Sequence, residues 1–227
     1  MAVAIISDIH GNYTALRAVV KEINQRNIQN VICLGDICGY YSQVNECIEL
    51  VQDMTDKIVI GNHDKYIINN TKCPHSNSVN VCLDYQRKVL KSENIDWLRK
   101  FPTNAKYFGI NCVHGSWENN LDEYIKDSSY FEGRKFIDKV LISGHSHIPF
   151  IYKNDEYIYC NSGSVGQPRD GDYRASFAIF DNYDFEIVRV AYDYSKTQHN
   201  MKQCGFDIYY YENLKYGIPI GASVHNN

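Results

Sequence analysis

The chain has 227 residues, 44% of them hydrophobic, and 23 Lys and Arg against 27 Asp and Glu give it a net charge of −4 and a pI near 6.0. That length can bury a core without covalent staples, and the cations are scattered, which argues against an extended nucleic-acid backbone as partner. No stretch approaches the roughly 18 apolar residues of a membrane span, and the eight cysteines include no Cys-x-x-Cys pair, so buried free thiols, a cytoplasmic location and no membrane partner are expected.

Ala2 to Ile6 is a short apolar run, the pattern of a buried strand, and it stops at Ser7-Asp8-Ile9-His10-Gly11-Asn12. Apolar residues at Tyr13, Leu16, Val19, Val20 and Ile23 then have the spacing of a helix with one buried face. Val31 to Leu34 reads as a second strand ending in Gly35-Asp36-Ile37-Cys38-Gly39-Tyr40, Asn45 to Val51 as a helix capped by Asn45, and Lys57 to Ile60 as a third strand ending in Gly61-Asn62-His63-Asp64. Strands alternating with helices predict a parallel sheet whose strand-end loops open on one edge, where ligands collect in such folds. Residues 77–100 read as a helical pair covering the sheet, stopped with the help of Pro102. Residues 105–108 and 110–113 resemble a hairpin delivering His114-Gly115-Ser116, and Lys139 to Ser143 a strand delivering Gly144-His145-Ser146-His147. After Pro149 four short strands (150–153, 157–160, 176–181 and 185–190) suggest antiparallel pairing into a second sheet. With no linker or repeat, one domain over 1–227 is expected; residues 193–227, weakly helical and then Tyr-rich, have no assigned role. The nineteen tyrosines are many for this length, and aromatic packing around a cleft is the one use their number suggests.

The strand ends together offer Asp8, His10, Asp36, Asn62, His63, His114, His145 and His147. Each alone is ordinary, an Asp in a turn or a satisfied His, but repetition at successive strand ends points to a metal centre. Mixed oxygen and imidazole donors suit Mn, Fe, Zn or Ni, whereas an all-oxygen set would suit Mg or Ca. The donors exceed what one closed site takes. Two ions sharing a carboxylate, an arrangement that clamps a phosphoryl group for in-line displacement, is the natural solution.

In order, Asp8-x-His10, Gly35-Asp36, Gly61-Asn62-His63-Asp64, His114-Gly115 and Gly144-His145-Ser146-His147 resemble the five signature blocks of the calcineurin-like metallophosphoesterase superfamily, over roughly residues 3–190. The resemblance implies an α/β fold, a four-layer α/β/β/α sandwich of two mixed sheets. It also implies two divalent or trivalent transition-metal ions, Mn or Fe ahead of Zn or Ni, with Asp8, His10 and His147 on one, Asn62, His114 and His145 on the other, and Asp36 bridging. A metal-bridging hydroxide would then attack phosphorus. His63 would assist the leaving group or, alternatively, support Asn62, and Asp64 would orient His63.

Departures from the pattern narrow the subgroup. Protein phosphatases and symmetrical dinucleoside tetraphosphate hydrolases carry a second Asp-Arg pair after the bridging Asp, and Glu after the signature His; here Gly39-Tyr40 and Asp64 stand there. The chain is similar instead to compact bacterial members with Gly-Asp-x-x-Gly-Tyr and an Asn-Glu-Cys helix, here Asn45-Glu46-Cys47, although Tyr41 replaces an expected small residue. Their block like Asn161-Ser162-Gly163-Ser164-Val165-Gly166-Gln167-Pro168-Arg169 offers Arg169 as a phosphate grip, unless Arg169 pairs with Asp170 or Asp172; Arg174 is the lesser candidate. Hydrolysis of a phosphodiester or phosphoanhydride of a small nucleotide is the expected activity, by a monomer or homodimer. A phosphomonoesterase or protein phosphatase, and a non-catalytic metal-binding scaffold, are the alternatives.

Overall fold

An apolar run with no polar alternation must be covered on both faces, and the first strand, β1 (Val3–Ile6), is buried throughout. In a computed structural model that describes residues 1–222, it lies parallel to β2 (Asn30–Cys33), with Ile5 opposite Ile32. On its other side it is antiparallel to β8 (Ala175–Asp181), and β9 (Asp184–Val190) completes a four-stranded sheet of order β2-β1-β8-β9. The second sheet has the order β3-β4-β5-β7-β6, formed by β3 (Asn104–Tyr107), β4 (Ile110–Val113), β5 (Val140–Ser143), β6 (Phe150–Lys153) and β7 (Ile158–Asn161). Both sheets are mixed: β4, β5 and β7 run parallel, with antiparallel β3 and β6 at the edges.

The two-residue period of the strands sorts side chains between layers. Val3 and Ile5 enter the core between the sheets with Ile32, Val140, Ile142 and Ile158, while Ala4 and Ile6 face the helices. On that helical side α1 (Tyr13–Gln25) buries Leu16, Val19 and Ile23, and its N-terminus is closed by the Asn12 side chain, which accepts the Ala15 N–H at 3.2 Å. Buried residues of α2 (Val44–Met54), α3 (Asn62–Ile68), α4 (Asn77–Val89), α5 (Ser92–Leu98) and α6 (Tyr194–Gln203) join the same core. Opposite, the outer layer on β5 and β7 is a segment with a single 3₁₀ turn, Ser128–Phe131, whose Phe131 and Ile125 bury against Leu141 and Tyr159. These layers make the four-layer sandwich of two mixed sheets. Among the described residues no helix is long and apolar enough to cross a membrane, and seven of the eight thiols are buried and free.

Four details differ from expectation. Lys57–Ile60 makes one parallel bridge, Ile58 to Cys33, rather than a strand, because the Ile60 N–H turns away to the Pro102 carbonyl. Gly61-Asn62-His63-Asp64 opens α3 rather than forming a loop. Asn45 sits inside α2, whose N-cap position is Gln43; its side chain donates to Val89 O and accepts from Lys91 N, tying α2 to the junction of α4 and α5. The strands after Pro149 do not form a sheet of their own: β6 and β7 extend the second sheet, and β8 and β9 extend the first. The tail beyond residue 193 contains α6 and two 3₁₀ turns, Ile208–Tyr210 and Glu212–Tyr216; residues 223–227 lie outside the described residues.

Candidate metal centre

The loops after β1 and β2 are zipped together by backbone hydrogen bonds, Asp8 N–H to Gly35 O at 3.1 Å and His10 N–H to Asp36 O at 2.9 Å. In the second sheet the ends of β4 and β5 are tied to each other by Gly144 N–H to His114 O at 2.9 Å, and the segment after β7 reaches the first sheet's loop through Gly166 N–H to Asp8 O at 2.9 Å. Clamped this way, Asp8, His10, Asp36, His145 and His147 all hold left-handed backbone conformations, with φ between 50° and 64°. That region is costly for residues with a Cβ and persists where surrounding structure imposes it. Two close approaches show how tight the assembly is. A Cβ on Gly61 would stand 2.0 Å from Asp36 Oδ1, and one on Gly144 2.0 Å from Ser7 Oγ and 2.6 Å from Asp8 Oδ2.

The two aspartates are used alike. Asp8 Oδ2 accepts the Ser7 hydroxyl at 2.7 Å and the His145 N–H at 3.0 Å, leaving Oδ1 aimed at His147 Nε2, 3.2 Å away, and His10 Nε2, 3.7 Å away. Asp36 Oδ1 accepts the His63 N–H at 2.8 Å, leaving Oδ2 3.3 Å from His114 Nε2 and 3.7 Å from His10 Nε2. Three imidazoles are turned the same way by carbonyls: Nδ1 of His10, His114 and His147 meets Cys38 O, Leu34 O and Gln167 O at 2.9, 2.8 and 2.6 Å. In a neutral ring, a Nδ1–H donated to a carbonyl fixes the tautomer that leaves Nε2 as a lone pair, the arrangement metal-binding histidines adopt.

The converging atoms lack partners. Asp8 Oδ1, Asp36 Oδ2, Asn62 Oδ1, His114 Nε2 and His145 Nε2 are buried without a hydrogen bond, a costly condition that a cation would relieve. His10 Nε2 and His147 Nε2 face each other at 3.1 Å, two lone pairs that need a proton or a cation between them. Asp8, His10 and His147 form one compact donor group and Asp36, His114 and His145 another; His10, Asp36 and His63 form a third that overlaps both. The donor set fits metal ions.

Charge follows the same division. Burial alone would raise both carboxyls, yet the facing imidazoles, His147 for Asp8 and His114 for Asp36, hold them below the usual carboxylate range. Burial pushes His145 down to about 3, His147 to about 4, and His63 well below its ordinary value, so all three are neutral at pH 7. His114 goes the other way: burial opposes its charge, but Asp36 and then Asp8 raise it to about 10. A proton on His114 stands between two carboxylates where a cation would otherwise sit.

Seven of the eight strand-end residues singled out in the sequence thus come together, and Asn62, beside His63 at the start of α3, is buried with its Oδ1 unpartnered. Asp64 does not orient His63. Its carboxylate accepts the N–H of Cys38 at 2.9 Å and of Gly61 at 3.1 Å, pinning the second and third loops to each other, and burial together with the Asp36 charge lifts it to about 6. Arg169 does not pair with Asp170 or Asp172, which bind Arg189 and Arg174. Its guanidinium instead donates to Gln167 Oε1 and, at 2.8 Å, to the Tyr40 hydroxyl, beside the cluster. Tyr40, edge-on to His10 with ring centroids 4.7 Å apart, is a wall of the site, whereas Tyr41 is buried beneath it. Trp117 packs behind β7 on Phe136 and Tyr159 rather than on the cluster. One residue had no sequence signal: Tyr124 lies in an aperiodic segment, yet its ring stacks on His145 with centroids 4.0 Å apart.

Comparison with known proteins agrees with this geometry. Residues 1–184 match the model of the calcineurin-like phosphoesterase superfamily domain. The chain is 37% identical over 223 residues to MJ0912 of Methanocaldococcus jannaschii, covering 86% of this chain and 89% of that one. It is 23% identical over 199 residues to the phosphodiesterase YfcE of Escherichia coli, covering 83% and 91%. With a symmetrical bis(5'-nucleosyl)-tetraphosphatase of Actinobacillus pleuropneumoniae it shares 27% identity over 176 residues, covering 68% of this chain but 58% of the relative. Among solved structures, a metallophosphoesterase from Sphaerobacter thermophilus superposes with a TM-score of 0.83 at 30% identity, over 96% of this chain and all of the other. The chain belongs to the calcineurin-like phosphoesterase superfamily, a class of phosphoric ester hydrolases.

Proposed function

We propose that the protein is a binuclear metal-dependent hydrolase of a phosphodiester or phosphoanhydride in a small nucleotide. The observation that carries this reading is the pair of donor groups, Asp8-His10-His147 and Asp36-His114-His145, that meet at two carboxylate oxygens with no other partner. Asp8, His10 and His147 would hold one ion, His114, His145 and Asn62 Oδ1 the other, and Asp36 would bridge them, with Mn or Fe preferred for a mixed oxygen and imidazole set. When bound, two such cations polarise the phosphoryl oxygens and lower the pKa of water enough to furnish the attacking nucleophile at neutral pH.

The chain's own residues do the rest. Arg169 binds the non-bridging phosphate oxygens, and its hydrogen bonds to Tyr40 and Gln167 fix its orientation before substrate arrives. His63 lies with Nε2 3.9 Å from Asp36 Oδ2 and is kept neutral by burial, so it stabilises the leaving oxygen by donating a hydrogen bond rather than by carrying a charge. Asp64 holds the loops that carry Asp36 and Asn62. A single guanidinium suits the one phosphoryl group of a diester, and the name of one relative, a phosphodiesterase, supports that class, while that of another, a dinucleoside tetraphosphatase, supports the phosphoanhydride.

The test is hydrolysis, with added Mn²⁺, of bis-p-nitrophenyl phosphate, p-nitrophenyl phosphate, cyclic mononucleotides and dinucleoside polyphosphates. Preference for diesters or anhydrides is expected; turnover of monoesters or phosphopeptides alone would replace this reading with a phosphatase.

A further inference from the structure

The superfamily match ends at residue 184, yet the segment beyond it reaches back to the loops of the metal centre. Thr197 Oγ1 donates to Asn12 Oδ1 at 2.8 Å, Asn200 Nδ2 to Gln43 Oε1 at 2.7 Å, and Asn213 Nδ2 to the Tyr41 hydroxyl at 3.4 Å. The last of these continues inward. Gln167 Nε2 donates to the same Tyr41 hydroxyl at 3.2 Å, and Gln167 Oε1 accepts from Arg169 Nη2 at 2.8 Å and from Nε at 3.1 Å. Asn213, Tyr41 and Gln167 are each at most 2% exposed. Without its acceptor on Tyr41, the Gln167 amide would leave a buried N–H unsatisfied and would have reason to rotate, taking its oxygen away from the guanidinium.

We infer that the C-terminal segment is a positioning element for the substrate-binding arginine, acting through the relay Asn213 to Tyr41 to Gln167 to Arg169. The inference rests on the proposed role of Arg169 as the phosphate grip. It accounts for Tyr41, a large residue where a small one was expected. A smaller side chain there could not reach both Gln167 and Asn213. It also ties substrate binding to the metal centre, because the Gln167 carbonyl is the one that orients His147. Tyr41, Gln167 and Asn213 touch no reacting atom in this scheme; they act by holding the guanidinium plane.

The test is a double-mutant cycle on the Mn²⁺-loaded full chain, read both as KM and kcat for bis-p-nitrophenyl phosphate and as the dissociation constant of inorganic phosphate by calorimetry. Arg169→Ala is expected to raise KM and weaken phosphate binding about 10- to 100-fold, the range for a hydrogen bond to a charged group. Tyr41→Phe, which keeps the ring and its packing, is expected to raise both about 3- to 10-fold with a smaller change in kcat. The double variant should be no worse than Arg169→Ala to within about two-fold, since a relay has nothing left to position. Asn213→Ala, which works from the other end of the relay, should shift KM in the same direction and lose its effect in the same background. If the Tyr41→Phe effect multiplies with that of Arg169→Ala, or if Tyr41→Phe leaves KM unaltered while Arg169→Ala raises it, the relay is overturned and the grip stands. If Arg169→Ala changes neither constant, the grip itself is wrong and the relay falls with it.

Discussion

Both ends of the sandwich hold residues in the left-handed region, and they use it for opposite purposes. At the end where β1 and β5 finish, Asp8, His10, Asp36, His145 and His147 are buried, interlocked and aimed at one another. At the other end Phe108, Asn182 and Tyr183 adopt the same φ in the turns joining β3 to β4 and β8 to β9, where Tyr183 is 76% exposed and Phe108 39%. A turn needs the conformation only to reverse the chain, and glycine would serve. The site needs it to bring a carboxylate and an imidazole two residues apart to the same point, so the side chain matters and the backbone strain is retained.

Substitution should separate the two ends over a wide range. The largest effect is expected for Asp36→Asn, which on the proposed assignment weakens the shared ligand: losing several kcal/mol of metal-derived stabilisation corresponds to on the order of 10³-fold in turnover of bis-p-nitrophenyl phosphate, with metal content falling in parallel. His63→Ala should lower turnover about 10²-fold with metal content retained, because in the proposed mechanism His63 assists the leaving oxygen without being required to hold an ion.

Next comes pH. In the metal-free protein His114, raised to about 10 by Asp36 and Asp8 against the effect of burial, carries a proton that a metal must displace. Metal affinity should therefore rise with pH between 7 and 9, by up to about ten-fold per unit, and binding should release about one proton, measurable by calorimetry in buffers of different ionisation enthalpy. The same raised pKa stabilises the metal-free fold below the unfolded value of 6.5, and that contribution is lost as pH climbs towards 10. The smallest effect belongs to the far end: Tyr183→Gly should raise the melting temperature by at most roughly 2–4 °C, through relief of the left-handed tyrosine, and leave turnover alone. A loss of activity in Tyr183→Gly, or its retention in Asp36→Asn, would erase the contrast between the ends.

How much of this was legible in the sequence depended on range. The apolar runs around Ile5, Ile32 and Ile142 announced buried strands, and the ligand-type residues placed at their ends announced the site, because both signals are local. Lys57–Ile60 looked like a third strand on the same evidence, but its pairing is decided by Pro102, some forty residues on. The division of β6 to β9 between two sheets was equally hidden, since antiparallel periodicity does not say which sheet a strand joins. Asp64, beside His63 in the chain, was expected to act on it; α3 turns its carboxylate towards Cys38 and Gly61 instead. Tyr124 and the Asn213 contact to Tyr41 reach the site from aperiodic segments, where no sequence pattern marks what a side chain will touch.

The most direct test of the central claim is metal stoichiometry joined to activity: inductively coupled plasma mass spectrometry on Mn²⁺-loaded wild-type and Asp36→Asn protein, with diester hydrolysis measured on the same samples. Two ions per chain in the wild type, fewer in Asp36→Asn, and turnover that vanishes with the missing ion are expected. Full hydrolysis by a chain holding one ion or none would contradict the assignment of a binuclear centre bridged by Asp36.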